Sequence, residues 1–499
     1  MPPNIAVIGT GAAALGVTAG IMNKTPDARI TYFDVPDDTV DPPYAEQPPQ
    51  EWPPGTMRQI IGGGRSGGKR GLMPNRSHFS ATIPETQVTA KRRLYHGRNR
   101  GGLTRFWTAG MFPLAPDEFA DWPVTFEDMK PYYLRIAETV GVSGGADRMD
   151  DHFGFAYVNR PPITRLAATE HLASAVNAKN DPNVFAGVCR VSIDTRPGSP
   201  SACVACGECL TGCFRNAILY APDIIDRLLA DKTVGHVADT IRRVERNGAT
   251  CRLIGASETY DGFDHVFVAA GCLGSAEIAL RSLDLRRTPV PLYDNPMYLF
   301  PAFRPLSNPF RRGHEHLSVA NHVVVLLPET ADEGVVYAPL NPVPDLMMRS
   351  LLPEALWGLG THMGRMLRNS TAVVKFYLDS THAHQYAVSI NDADQLSLQH
   401  VQSPDAAAVR AWAKKRFGRM LGGTGWVSLY WPFLDAATSA HYAGPLAYGN
   451  EVIPVSRTGS MMPGVHVCDS AVFPATPAQP LTYTIMANAM RTAEEVLDG

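Results

Sequence analysis

The first 34 residues carry the pattern that most restricts the fold, a glycine-rich turn between two short apolar segments. Residues 4–8 are typical of a buried strand, and residues 29–33 predict a second strand. Between them, Leu15, Val17 and Ile21 follow the spacing of a helix. Strand, helix and strand in this order form a βαβ unit, so the chain begins within an α/β fold.

The turn after the first predicted strand has the spacing Gly9-x-Gly11-x-x-Ala14. The first glycine permits a tight turn, the second lets the backbone approach a pyrophosphate, and the small Ala14 lets helix and strand pack closely. Asp34 follows 20 residues after Ala14, at the end of the second predicted strand, where an acid accepts hydrogen bonds from a ribose hydroxyl. We therefore predict a dinucleotide site, although these residues do not choose between FAD and NAD.

The composition excludes several other classes of protein. Hydrophobic residues make up 45% of the 499 residues and charged residues 19%, as in a folded globular chain of roughly two to four domains. The 45 Lys and Arg nearly balance the 48 Asp and Glu, which argues against a dedicated nucleic-acid-binding protein. The sequence has no long uncharged apolar run and no signal-peptide pattern, so we expect no membrane span and a cytoplasmic location.

Two segments after the opening unit differ from the rest of the chain in composition. Residues 36–74 are rich in proline and glycine, which interrupt helices and strands and predict an insertion loop. The overlapping segment 57–106 has eleven basic residues and only Glu85 as an acid, a formal charge of +10. This basic segment is either a solvated face or a site for phosphate, an anionic substrate or an acidic carrier protein.

Two later regions predict further elements. Residues 264–271 form an apolar segment that ends in the small residues Ala270 and Gly271, and helical spacing resumes from Ser275 to Leu283. This pattern predicts a second strand, turn and helix. Between residues 316 and 400, β-branched and aromatic residues alternate, which predicts an antiparallel sheet in a second domain.

Four cysteines are grouped with the spacing of a bacterial-ferredoxin segment: Cys203, Cys206, Cys209 and Cys213. Short loops of this kind let several thiolates converge on one iron–sulfur cube. The proline that commonly follows the fourth cysteine is Phe214 here, and Cys189 is an alternative fourth ligand. The spacing favours a 4Fe–4S cluster over the two alternatives that it leaves open, a zinc site and structural cysteines.

Three groups of residues occur in an order that is itself informative. They are Gly101-Gly102-Leu-Thr104-Arg-Phe-Trp107, His441-Tyr-Ala-Gly444, and Val465 to Pro474 followed by Gln479-Pro480-Leu-Thr482. In this order they resemble the Gly-Gly segment beside the flavin, the catalytic His-x-x-Gly and the closing flavin-contact segment of the glucose-methanol-choline (GMC) oxidoreductases. The first group is most similar to the pyranose-oxidase-like branch of that family.

The resemblance implies a Rossmann-like FAD-binding domain with an inserted α+β substrate domain built on an antiparallel sheet. The FAD-binding domain would comprise residues 1–165, 166–295 and 440–499, and the substrate domain residues 296–439. The implied cofactor contacts are Gly9, Gly11, Ala14, Asp34, Gly101, Gly102, Thr104, Trp107, Ala270, Gly271, Asp469, Pro480 and Thr482.

The resemblance also implies roles for single residues. His441 would be the base that takes the hydroxyl proton of an alcohol while hydride moves to flavin N5. Gln479 occupies the position of the usual Asn or His and would hold the substrate oxygen by a hydrogen bond. Phe106 stands where the similar branch can carry a histidine attached to flavin, so we expect non-covalent FAD.

We therefore expect an FAD-dependent dehydrogenase or oxidase that acts on an alcohol carbon of a sugar, a cyclitol or a natural-product intermediate. Electrons would leave to an external acceptor, either a redox protein or O2, with an iron–sulfur cluster as one route. The alternatives are a flavin- and cluster-dependent reductase or desaturase of C=C bonds and a non-redox lyase, because a fold does not determine a reaction.

Overall fold

The structure, a computed structural model, describes most of the chain, and every structural statement below refers to that part. It covers residues 1–36, 47–48, 51–53, 55–56, 87–88, 94, 96–210, 212–305, 316–330, 333–343, 352–402, 406–428 and 437–499. The α-helices are α1 Ala12–Lys24, α2 Phe126–Val140, α3 Arg148–Phe153, α4 Ala167–Asn177, α5 Ala221–Leu228, α6 Gly271–Ser282, α7 Trp357–Leu367, α8 Ala406–Leu421 and α9 Thr482–Leu497.

The first sheet joins the two ends of the chain. In sheet order its strands are β18 Ser460–Met462, β19 Val465–Val467, β9 His265–Val268, β1 Asn4–Ile8, β2 Arg29–Asp34 and β5 Gly235–Ala238. All adjacent pairs are parallel except β18 and β19. Because parallel strands end at the same edge, the turns that follow β1, β2, β9 and β19 lie together there.

The second sheet is larger and mostly antiparallel. In sheet order its strands are β3 Gln87–Val88, β15 Leu396–Gln402, β14 His384–Ile390, β10 Val290–Phe303, β13 Thr371–Leu378, β12 Val336–Asn341, β11 His322–Leu326 and β4 Val184–Val188. Two further strands, β16 Val427–Ser428 and β17 Ala437–Ala443, also pair with β10. A separate three-stranded sheet contains β6 Ile241–Asn247, β7 Thr250–Gly255 and β8 Thr259–Phe263.

One face of the large sheet is covered by helices. Side chains alternate along β10, so that Tyr298, Phe300 and Ala302 enter a core that also contains Leu172 of α4 and Phe417 of α8. The opposite face of the strands therefore turns away from these helices.

The first and last helices pack backbone against backbone. A Cβ atom added to Gly16 of α1 would lie 2.2 Å from the carbonyl oxygen of Met486 in α9, so a side chain there would force the helices apart. This close packing fixes the C-terminal segment against the βαβ unit.

These sheets confirm the predicted fold class, which combines a Rossmann-like parallel sheet with a second region built on an antiparallel sheet. The predicted strand and helix around residues 264–283 are β9 and α6. The domain limits at 165, 295 and 439 stay predictions. Most of the insertion loop 36–74 and of the basic segment 57–106 lies outside the described residues. No helix in the described part of the chain has the length and apolar character needed to cross a membrane.

Candidate functional site

The turn after β1 has the geometry that its glycines predicted. Gly9 has a φ of +105°, and its N–H donates to the carbonyl oxygen of Phe33 over 2.7 Å. A Cβ atom on Gly9 would lie 2.4 Å from the carbonyl oxygen of Ala269. Only glycine fits this position, because any side chain would collide with the backbone at the end of β9.

Gly11 leaves space above the start of α1. A Cβ atom there would come no closer to another group than 3.6 Å, the distance to the carbonyl oxygen of Gly101. As the N-cap, Gly11 supplies no side-chain acceptor, and the first turn of α1 has no acidic residue. The backbone N–H groups and the positive end of the helix dipole therefore suit a pyrophosphate, and the small, fully buried Ala14 packs the helix closely behind them.

Thr10 links two predicted cofactor contacts, Gly101 and Asp34. Its Oγ1 accepts a hydrogen bond of 2.8 Å from the N–H of Gly101 and donates to Oδ2 of Asp34. The other carboxylate oxygen of Asp34 accepts from the N–H of Val35 over 3.0 Å. The half-buried carboxylate thus stands at the end of β2 beside the glycine turn, where an FAD ribose would need an acceptor.

The segment from Gly101 to Trp107 is held against this turn. Gly101 has a φ of +83°, and Gly102 begins a single 3-10 turn that ends at Arg105. The Thr104 hydroxyl donates to the Gly101 carbonyl over 2.6 Å, and the Trp107 indole donates to the carbonyl of Leu219 over 2.8 Å. These bonds fix the backbone of the predicted flavin-contact segment.

Asp469 fastens the C-terminal segment to the start of α6. Its carboxylate accepts from the hydroxyl of Ser275 over 2.5 Å, from the N–H of Ala471 over 3.0 Å and from the N–H of Gly271. Burial raises its pKa to about 6. These contacts bring Ala270 and Gly271 to the same edge of the sheet as the glycine turn.

The remaining predicted flavin contacts follow on the same side. A Cβ atom on Gly110 would lie 3.1 Å from Cγ of Pro480, so the chain after Trp107 passes directly over the C-terminal segment. Thr482 is the first residue of α9. The structure therefore gathers the segments that contain the predicted cofactor contacts, although they come from both ends of the chain.

Gln479 is buried with its amide nitrogen fully used. Nε2 donates to the carbonyl oxygen of Pro113 over 3.2 Å and to Oε2 of Glu118 over 2.6 Å. Both partners accept hydrogen bonds, so they define the orientation of the amide. Its carbonyl oxygen has no hydrogen-bond partner among the described residues. Toward a bound molecule this amide can therefore accept a hydrogen bond but not donate one.

Glu118 is a site residue that the sequence reasoning missed. Burial raises its pKa from the ordinary 4.5 to about 7, although the N–H of Ala115 and the amide of Gln479 both favour the carboxylate. The nearby carboxylates of Asp117 and Asp379 raise it further. Glu118 orients Gln479 and changes charge close to neutral pH.

We expect the Glu118→Gln variant to gain stability relative to the parent protein as the pH rises. An acid whose pKa is higher in the folded state lowers the free energy of unfolding as pH passes from about 4.5 to about 7. The variant lacks this loss, which reaches about 3 kcal/mol above pH 8, so its Tm should exceed the parent's by roughly 2–6 °C there and approach it near pH 4.

Thermal melts at pH 4, 5, 6, 7 and 8 measure this difference. Glu127→Gln is the matched control, because the Glu127 side chain is 75% exposed on the neighbouring helix. A Tm difference for Glu118→Gln that stays constant with pH would contradict the assigned ionisation.

His441 lies on β17, which extends the large sheet beside β10. Its ring stacks on the ring of Tyr377 with centroids 5.3 Å apart, and burial lowers its pKa to about 4. The chain that follows is bonded to the C-terminal segment, since the N–H of Leu446 donates to the carbonyl of Ala471 over 2.9 Å. A neutral imidazole at pH 7 can accept a proton.

The four clustered cysteines do not form a metal centre in the described residues. They are free thiols, and burial raises the pKa of Cys203, Cys206 and Cys209. Cys213 contributes electrostatically to each of these three shifts, so the four residues are neighbours. No group of three His, Cys, Asp or Glu side chains in that part of the chain is arranged to hold a metal ion. The predicted ligand set, which includes Cys213, therefore has no structural support, and no electron path is assigned to it.

The described end of the basic segment is partly neutralised within the chain. Arg98 pairs with Glu277, and Arg100 pairs with Asp226, each over 2.8 Å. These pairs favour the interpretation of a balanced surface for Arg98 and Arg100, and nothing in the described residues supports an acidic carrier protein.

No protein-family profile matches the sequence, and no curated protein sequence matches it. Solved structures match it over nearly its whole length. Pyridoxine 4-oxidase from Mesorbium loti is 15% identical, with a TM-score of 0.61 and coverage of 100% of this chain and 99% of that one. Formate oxidase from Aspergillus oryzae is 12% identical, with a TM-score of 0.64 and coverage of 99% and 98%. A fungal aryl-alcohol oxidase is 11% identical, with a TM-score of 0.57 and coverage of 100% and 99%.

These likenesses show a shared fold. The chain shares its fold with these oxidases over nearly its whole length. Because the identities are low, the fold is the only property that passes from these proteins to this chain.

Proposed function

We propose that this protein is an FAD-dependent oxidoreductase that oxidises an alcohol carbon. The observation that supports this proposal most is the meeting of the glycine turn, the Gly101 segment and the His441 strand around the C-terminal segment. The fold neighbours add to it, because one is named an aryl-alcohol oxidase and another a pyridoxine 4-oxidase.

FAD suits the residues of the first sheet. The open space over Gly11 and the unused N–H groups of α1 would hold the pyrophosphate, and Asp34 would accept from the ribose. Phe106 is 8% exposed and offers no nucleophile for attachment, so the flavin would be bound without a covalent link. When bound, FAD supplies an acceptor for the hydride that leaves the alcohol carbon.

His441 would receive the hydroxyl proton. Its pKa near 4 keeps the imidazole neutral and able to accept at neutral pH, and stacking on Tyr377 limits the rotation of the ring. The amide nitrogen of Gln479 is held by Glu118 and Pro113, so its carbonyl oxygen would orient the substrate by accepting from a second donor group, because the single proton of the reacting hydroxyl goes to His441. The alcohol then loses one proton and one hydride to become a carbonyl compound.

The electron acceptor in this proposal is O2 or a soluble oxidant. Electron transfer through the four cysteines is not part of it, because no group of three His, Cys, Asp or Glu side chains in the described residues is arranged to hold a metal ion. If anaerobically purified protein contained iron and acid-labile sulfide in stoichiometric amounts, an iron–sulfur cluster would be present after all. Electrons could then leave the flavin one at a time through that cluster.

We expect the purified protein to show the absorption spectrum of oxidised flavin, and acid to release that flavin into solution. Under anaerobic conditions an aromatic alcohol alone should bleach the spectrum, because the alcohol is the electron donor. The measurement is stopped-flow absorbance with benzyl alcohol, with toluene as the control that lacks a hydroxyl group. A flavin bleached only by an external reductant would instead favour a C=C reductase, and a protein without flavin would overturn the proposal.

A further inference from the structure

One charged side chain stands on the face of the large sheet that points away from α4 and α8. Along β13, Val374 and Phe376 enter the helix-covered core, whereas Val373, Lys375 and Tyr377 share the opposite face. Among the described residues, Lys375 makes no hydrogen bond or ion pair. Burial alone lowers its pKa below the ordinary 10.5.

The neighbours of Lys375 on this face are uncharged. On β10, Leu299 lies directly opposite Lys375, and on β12 the pairs Tyr337 with Tyr377 and Asn341 with Val373 stand on either side of it. We call the following residues the Lys375 patch: Met297, Leu299, Pro301, Val373, Lys375 and Tyr377. Within the described chain, Met297, Leu299 and Val373 belong to none of the three packed cores.

The Lys375 patch adjoins the candidate catalytic histidine. Tyr377 is two residues from Lys375, about 7 Å along the strand, and its ring stacks on His441 with centroids 5.3 Å apart. The same face meets the chain that follows the predicted flavin-contact segment Gly101 to Trp107, because the ring of Tyr337 lies 4.7 Å from that of Phe112. A molecule whose hydroxyl group faces His441 would therefore lay its other end on the patch.

A half-buried ammonium among apolar side chains is costly unless an anion compensates it. The described residues supply no such anion at Lys375. A bound molecule with an apolar body and one oxyanion would supply it and would also cover the half-buried Met297 and Leu299.

We propose that Lys375 binds an oxyanion of the substrate, a carboxylate or a phosphate, and that the substrates are apolar alcohols with this group at the end remote from the carbinol. The proposal rests on the proposed function, since His441 defines the reacting end. Lys375 is here a residue that determines specificity, and it carries no role in proton transfer.

The first experiment compares the kcat/KM of three alcohols: 4-(hydroxymethyl)benzoate, 4-(hydroxymethyl)phenyl phosphate and the neutral 4-methylbenzyl alcohol. In the parent protein, the kcat/KM of one of the two anionic alcohols should exceed that of the neutral alcohol by roughly 10- to 100-fold. The anion with the higher kcat/KM identifies the oxyanion that Lys375 binds. Lys375→Met should remove that preference, and Lys375→Arg should restore part of it. Lys232→Met, at an exposed lysine after α5, is the matched control and should leave the preference unchanged.

The second experiment is independent of turnover. Binding of 4-methylbenzoate and of 4-methylphenyl phosphate, which have no hydroxymethyl group, is measured by calorimetry on the flavin-loaded protein. One of them should bind the parent and the Lys232→Met variant but bind Lys375→Met at least tenfold more weakly. Anion binding without any alcohol oxidation would support the anion site and overturn the proposed function. Equal anion affinity in Lys375→Met and the parent, or no anion binding by a parent that oxidises neutral alcohols, would overturn the role of Lys375. Tm values show whether each variant is folded.

Discussion

Replacing His441 with alanine is expected to lower alcohol turnover by roughly three orders of magnitude while FAD stays bound. Burial keeps the pKa of this imidazole near 4, so at neutral pH it can accept the hydroxyl proton without first losing one. Alanine offers no acceptor, and the proton would have to pass to water. The flavin contacts inferred above lie on other segments, so the flavin content should not change.

The pH dependence of alcohol oxidation gives a second test of His441. A base with a pKa of about 4 predicts that kcat/KM falls on the acid side near pH 4, rather than near the ordinary 6.5 of histidine. Rates of anaerobic flavin reduction between pH 4 and pH 8 measure this limb. His362→Ala, at an exposed histidine of α7, is the control and should behave as the parent protein does. A His441→Ala variant that retains more than a tenth of the parent rate would remove His441 from proton transfer.

The nucleotide-binding half of the fold could be predicted because its signal is local. Gly9, Gly11 and Ala14 are placed by one turn, and a φ of +105° at Gly9 restricts that position to glycine in any chain with this turn. The strand that leads into the turn, β1, is a continuous apolar run because both of its faces are covered. Sequence spacing and structure therefore agree at this edge of the sheet.

The substrate side could not be predicted in the same way, because its contacts join residues far apart in the sequence. Tyr377 meets His441 only through the registers of β13 and β17 with β10, which no short motif encodes. The motif gave the identity of Gln479, whereas the direction of its amide depends on Glu118, 361 residues earlier. Glu118 had no signal of its own, since a single acid near a proline is common on protein surfaces.

The cysteine group shows the opposite case, in which a strong spacing is not matched by the arrangement of side chains. Cys203 to Cys213 have the separations of a ferredoxin segment, but spacing only permits convergence and does not require it. The charge count of the basic segment likewise could not show that Arg98 and Arg100 meet Glu277 and Asp226, more than 100 residues away.

Replacing Gly11 with valine is expected to abolish flavin binding, with at least a tenfold loss of FAD from the purified protein. The backbone of Gly11 has a φ of −83°, which valine tolerates, and a Cβ atom there meets no group closer than 3.6 Å. Valine at this N-cap should therefore cost the flavin-free fold only about 1 kcal/mol. The branched side chain would instead fill the space over the N–H groups of α1, where the pyrophosphate would lie.

The ratio of flavin absorbance to protein absorbance after gel filtration measures this loss, and the melting of flavin-free samples measures the fold. Gly358→Val, at an exposed glycine of α7 with open space around it, is the control and should keep its flavin. Gly9→Ala provides the contrast, because its methyl group would meet the Ala269 carbonyl at 2.4 Å, so the flavin-free protein itself should be destabilised. If Gly11→Val retained FAD at the level of the parent, the pyrophosphate would not lie at the start of α1, and the cofactor site would have to be sought elsewhere.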